Sequence, residues 1–234
     1  MQRPSRPLTD LLLSIVIPSI VLMNLSDAER LGPQVALVVA LAFPVGLGLY
    51  ELLRYRITNY IALLGLVSVL LTGGIGLLVL DPQWLAVKEA AIPAVLGIAV
   101  LVSARLGFPL IRTLLYNPAV LNTEKISRLL SERGFTEAFE TRLSGANTLL
   151  SGTFFFSAAM NYLLATWIVT SPAGSAAFNE ELGRMTILSY PVIALPSMAM
   201  MLAILFMLWR SIHKYTGLSL EEVLATPTET ESTR

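Results

Sequence analysis

Apolar residues gather into six long runs, at about residues 8–25, 33–53, 59–80, 82–103, 146–169 and 185–209, with short polar stretches between them. A helix needs about 20 mostly apolar residues to cross a bilayer core of about 30 Å. The pattern therefore predicts an all-α polytopic membrane helix bundle with six transmembrane helices, forming one domain over residues 1–225. The fourth run reaches full length only if its helix begins at Pro82. A different rhythm marks the segment 108–144, where Ile126, Leu129, Leu130, Phe135, Ala138, Phe139 and Leu143 recur at helical spacing with charges opposite them. That spacing predicts a cytoplasmic amphipathic segment of two short helices, broken at Gly134. It reads either as a surface that docks a partner or senses lipid, or as a connector resting on its own helix ends. The acids Glu124, Glu132, Glu137 and Glu140 dilute the basic face and favour the connector. The tail 226–234, TPTETESTR, has no apolar residue and is predicted to be disordered.

Charge adds an orientation. With the N-terminus inside, thirteen of the sixteen Lys and Arg fall on the cytoplasmic side, and Arg30, Lys88 and Arg184 fall at the outer face. Basic residues are retained in the cytoplasm, so the expectation is an N-in, C-in, multi-pass protein of the bacterial inner membrane. Outer connections follow at about 26–31, 81–84 and 171–184. Arg3 and Arg6 ahead of the first run resemble a signal peptide, but Asn24, Leu25, Ser26 and Asp27 offer no small-x-small cleavage site, so the run is read as a mature membrane helix.

Composition agrees with a membrane setting. Of 234 residues 55% are hydrophobic and 14% charged, against about 25% charged in soluble domains, and mean hydropathy is +0.70. Sixteen acidic residues balance the sixteen basic ones, which gives no argument for a nucleic-acid partner. The chain lacks cysteine and has one histidine, His213, so thiolate and histidine-rich metal sites are excluded. His213, just past the last run, reads as a headgroup-boundary or helix-end residue. No phosphate-cradling glycine loop, nucleophile elbow or histidine-carboxylate pair is present, and the expectation is a non-enzyme without cofactor.

What remains is polar or unusual residues inside apolar runs. Pro18, Pro44, Pro93, Pro191 and Pro196 each remove a backbone hydrogen bond and bend a helix; transporters use such interruptions, and ordinary packing tolerates them. Gly65, Ser68 and Thr72 share a helix face suited to close approach, within the chain or between the chains of a homodimer. Asn147, Asn161 and Tyr162 in the fifth run read as interhelical glue or, alternatively, as a path for a polar substrate.

The stretch Asp81 to Glu89 concentrates the remaining chemistry. Asp81 and Pro82 look like a helix start, the carboxylate capping free N–H groups and proline filling the first position. Lys88 and Glu89 then lie about 9 and about 10 Å further along the axis, at or just below the membrane boundary. Lys88 shares a face with Trp84, which permits a cation–π contact and snorkelling to the interface. Neighbours on a helix point about 100° apart, so Lys88 and Glu89 need not pair, and Glu89 has no evident partner. Ionisable groups in a membrane are functional candidates by default, and anchoring at the interface is the plainer alternative.

The run TGGIGLLVLDPQWLAVKEAAIP resembles the segment of the intracellular septation protein A family in which a glycine- and threonine-containing helix ends in an aspartate, followed by an aromatic, a lysine and a proline-bearing helix. The fifth run, ANTLLSGTFFFSAAMNYLLATWIV, is similar to that family's helix with two asparagines flanking a phenylalanine-rich middle. The matching positions are Asp81, Trp84, Lys88, Asn147, Asn161 and Tyr162. The resemblance implies an inner-membrane protein linked to envelope maintenance and division, meeting membrane lipids or envelope and division proteins rather than carrying a defined chemical activity. The alternative expectation is a small transporter or channel for a polar or ionic solute, with its site near Lys88 and Glu89.

Overall fold

A computed structural model describes residues 12–55, 60–114, 116 and 121–224, with the side chains of residues 13–14, 51–66 and 114 excepted. The expected disordered tail at 226–234 lies outside the described residues. The described chain is helical throughout, and an isolated antiparallel bridge between Leu121 and Leu224 is its one strand-like contact. The elements are α1 (Ile17–Leu25, preceded by a π-helical turn at Leu12–Val16), α2 (Pro33–Tyr55), α3 (Tyr60–Leu77), α4 (Gln83–Arg105), α5 (Leu110–Leu114), α6 (Thr123–Glu132), α7 (Thr136–Ile168), α8 (Ala176–Ser189), a π-helical turn at Tyr190–Ala194, α9 (Leu195–Thr216) and α10 (Leu220–Val223). Four stretches are helical, long and apolar enough to cross a membrane: Pro33–Tyr50, Gln83–Arg105, Thr136–Ile168 and Ala176–Thr216. The chain is thus an all-helical membrane protein.

Two element boundaries differ most from the expectation. The second half of the amphipathic segment is not a short helix: α7 starts at Thr136 and runs unbroken into the fifth apolar run, 33 residues in all. Gly134, at φ +71°, ends the preceding turn as expected, whereas Gly145, just ahead of Ala146, keeps helical geometry and does not interrupt the helix. The second difference is at 171–184, expected as an outer connection. Ser175 caps the N–H of Phe178 and a helix starts at Ala176, so most of that stretch is α8.

Contacts divide the chain into two compact units, residues 1–92 with 158–194 and residues 93–157 with 195–234. In the first, α1 packs on α2 and α8, and α2 packs on α3. Its core holds Leu22, Leu37, Ala40, Leu85, Phe178 and Leu182. Close approach here falls at three glycines. A Cβ at Gly73 would stand 2.7 Å from Leu41 Cδ1, one at Gly76 would collide with Leu37 Cδ2, and one at Gly183 would lie 2.9 Å from Ser19 O. Asn179, fully buried, donates to Ser26 Oγ at 3.0 Å and Pro33 O at 2.7 Å, tying α8 to the α1–α2 turn.

The second unit buries Ile111, Ile126, Phe139, Leu143, Leu150 and Ile212 together. Of the apolar face of the amphipathic segment, Ile126, Leu130, Phe139 and Leu143 are buried inside this unit, while Phe135 and Ala138 stay exposed. A capping box at Ser219 and Glu222 starts α10, and Lys125 reaches Glu222 at 2.9 Å. The Ser219 N–H and then Lys125 hold the Glu222 carboxyl down to about 2. His213 Nδ1 donates to Leu218 O at 2.7 Å, closing the turn after α9 as a helix-end residue does.

Candidate functional site

The turn from α3 to α4 sets the site's geometry. Leu80 N–H donates back to Ile75 O, a Schellman closure that puts Val79 in the left-handed region at φ 52°. Glycine normally fills that position, because a β-branched side chain there is strained. Asp81 then caps the next helix, its Oδ1 accepting from the Gln83 N–H at 2.8 Å, and α4 begins at Gln83, one residue after the expected start.

One turn and a half into α4, Lys88 departs from the expectation. Among the described residues, cation–π contacts join Arg112 to Tyr116 and Lys214 to Tyr215; Lys88 does not stack on Trp84. Its ammonium instead crosses to α3, donating to Thr72 Oγ1 at 2.7 Å and Ser68 Oγ at 3.2 Å, and pairs with Glu89 Oε1 at 2.7 Å. Helix spacing left pairing of Lys88 with Glu89 open; the two do pair, and Glu89 gains the partner that spacing could not name. A long flexible lysine stem swings its head well away from its own Cβ direction, so the 100° between neighbouring Cβ atoms is no barrier. The Ser68 carbonyl, at 3.4 Å, is a fourth acceptor, so the three N–H donors of the ammonium are saturated. Thr72 Oγ1 also donates to Ser68 O at 3.1 Å, so the hydroxyl polarises in the direction that strengthens its bond from Lys88. Side-chain exposure is 9% for Lys88 and 25% for Glu89, so the pair is withdrawn from the surface.

Beside this cluster is an open cavity of about 400 Å³ between α3 and α4, lined by Val67, Ser68, Leu71, Ile75, Leu80, Trp84, Val87, Lys88, Ala91 and Ile92. Its wall is apolar, and Lys88 contributes its methylene stem rather than its charge. Trp84, one of its lining residues, is 61% exposed.

The expected site residues therefore separate. Lys88 and Glu89 come together, Trp84 borders the apolar cavity, and Asp81 lies in a second cleft with Gln83, Thr166 and Thr170. Asn161 is half-buried and Tyr162 exposed on the C-terminal part of α7. Asn147 belongs to the other unit, where it is fully buried; its Oδ1 accepts from the Ile111 N–H at 3.0 Å and its Nδ2 donates to Val100 O at 2.6 Å. That is the interhelical glue expected of it. Ser68 and Thr72 were legible only as small residues on a packing face; their i, i+4 spacing was the signal that two hydroxyls share one side of α3. Gly65 lies among the residues whose side-chain environment is not described. No protein-family model, no curated protein and no solved structure matches the chain.

Proposed function

We propose that the chain is a six-span, non-enzymatic protein of the bacterial inner membrane, with both termini cytoplasmic, which serves envelope maintenance or septation through contacts with lipids or partner proteins. The observation that carries this reading is the apolar cavity of about 400 Å³ between α3 and α4, next to polar groups that already satisfy one another. Such a cavity suits an acyl chain or an apolar partner side chain and offers a polar solute nothing to bind. Trp84, which lines the cavity and is 61% exposed, suits the interface between headgroups and hydrocarbon. The test is native mass spectrometry of the full chain released from detergent. The wild type is expected to carry lipid or partner, and Ala91→Trp, which fills the cavity from an exposed position, to lose it. A clean monomer carrying neither would sink the reading.

A second reading is favoured by one observation, an ion pair withdrawn from solvent in a helix long enough to span a membrane. On that reading Lys88 and Glu89 gate a small transporter for a polar or ionic solute. Flux into proteoliposomes, compared between wild type and Glu89→Gln, decides it: absent flux, or flux indifferent to the change, removes this pair from any transport mechanism.

A further inference from the structure

Where the apolar runs of α7 and α9 end, three cations face shared space. Arg142 lies four residues before Ala146, where the run of α7 begins, and Arg210 directly follows Trp209, where the run of α9 ends. Lys214 is one turn beyond Arg210 on the same face. A cavity of about 330 Å³ is lined by Arg142, Arg210 and Lys214 together with Ser211. It shares Arg142, Met207 and Tyr215 with a neighbouring cavity of about 410 Å³ that continues past Gly145 to Leu149. No carboxylate lines either space.

The pairing of the other charges makes this cluster informative. In the same unit Arg112 pairs with Glu140, Lys125 with Glu222 and Arg128 with Glu132. Arg142, Arg210 and Lys214 have no acidic partner among the described residues. Three like charges bordering one cleft repel one another, and an anion in the cleft relieves that repulsion. The cleft is also two-ended: cations and a serine hydroxyl at one end, and Met207, Gly145 and Leu149 at the other, within the apolar run.

From this we infer that the α7–α9 groove is a binding site for an anionic phospholipid, its phosphate held by Arg142, Arg210 and Lys214 and one acyl chain laid along Gly145 and Leu149. The inference rests on the reading of the protein as one that works through lipid contacts, but on different residues from the α3–α4 cavity. Arginine contributes a planar fork for phosphate oxygens and Lys214 a mobile point charge. Each basic residue near a membrane surface strengthens binding of anionic lipid about fivefold, so three together are worth roughly a hundredfold.

The experiment is native mass spectrometry of the full chain in detergent titrated with phosphatidylglycerol or with phosphatidylcholine of the same acyl chains. The wild type is expected to prefer phosphatidylglycerol by more than tenfold, with the preference falling as salt rises. Arg142→Gln, Arg210→Gln and Lys214→Gln combined should abolish the preference; all three side chains are exposed and glutamine keeps the helix propensity. Gly145→Leu, at a position where an added Cβ meets open space, should weaken both lipids while leaving the charges in place. An equal preference in the triple variant overturns the inference, and so does competition by inorganic phosphate at concentrations matching the lipid, which would make this a site for soluble phosphate. Ala91→Trp should leave the preference intact. Lipid retained without headgroup preference defeats this inference alone, whereas a chain that retains neither lipid nor partner protein defeats the broader reading as well.

Discussion

Lys88 illustrates how a charge is held inside apolar surroundings. Removing an ammonium from water is costly, and the cost is offset here by an acceptor on each of its three protons. Glu89→Gln takes away the charged acceptor and is expected to lower stability in detergent by about 1–3 kcal/mol, below the range for fully buried pairs because Glu89 keeps partial exposure. Lys88→Met combined with Glu89→Gln should recover most of that loss, since no unpaired charge remains. A double-mutant cycle on thermal unfolding measures this, and additive losses would mean that the pair does not interact in the folded protein. Asn147 is the neutral counterpart. In Asn147→Leu the Val100 carbonyl keeps the Ser103 hydroxyl, but the buried Ile111 N–H loses its acceptor. The expected cost is about 1–3 kcal/mol, read from the shift in unfolding temperature.

At the scale of elements, backbone geometry at helix ends and prolines governs the outcome. Both π-helical turns lie beside prolines, Leu12–Val16 just ahead of Pro18 and Tyr190–Ala194 around Pro191 and ahead of Pro196. A proline cannot donate to the carbonyl one turn back, and a wider turn lets neighbouring amides satisfy what it leaves. Pro44 and Pro93 lie inside α2 and α4 without such a turn. The strained Val79 makes an opposite kind of prediction: Val79→Gly should stabilise the α3–α4 turn by about 1 kcal/mol, seen as a raised unfolding temperature, because the fold already demands a left-handed residue there. The α10 cap responds to acid. The Glu222 carboxyl sits at about 2 in the folded protein against an ordinary 4.5, so its contribution is complete above 4.5 and is lost as pH falls toward 2. Carbon-13 titration of the Glu222 carboxyl should give that low midpoint, and Lys125→Gln should raise it. A midpoint at the ordinary value would show that the cap is not populated.

For the whole molecule, the absence of cysteine provides a direct test of orientation, because any introduced thiol is unique. On the proposed N-in, C-in topology, Ser131→Cys should react with a membrane-impermeant maleimide only from the cytoplasmic side, and Gln83→Cys only from outside. Both positions are exposed. Labelling of both from one side would refute six spans in that orientation. Gly76→Ala and Gly74→Ala form a matched pair for packing: the first drives a methyl into Leu37 and should cost about 1–3 kcal/mol, while the second meets open space and should be neutral or slightly stabilising.

Helical class and membrane character were legible in the chain because they depend on mean hydropathy and run length, which are properties of local sequence. The Asp81 cap and the break at Gly134 were legible for the same reason, since caps and turns involve residues only a few apart. Helix length at α7 and the start of α8 were not, because polar helical stretches contiguous with apolar ones carry no hydropathy signal at the join. Partner choice was decided by the tertiary structure alone. Whether Lys88 stacked on Trp84 or crossed to Ser68 and Thr72 depended on how α3 docks beside α4, and that Gly73 and Gly76 meet Leu41 and Leu37 depended on how α3 lies along α2. Both are settled by packing between segments distant in sequence, where spacing within one helix specifies a face but not what meets it.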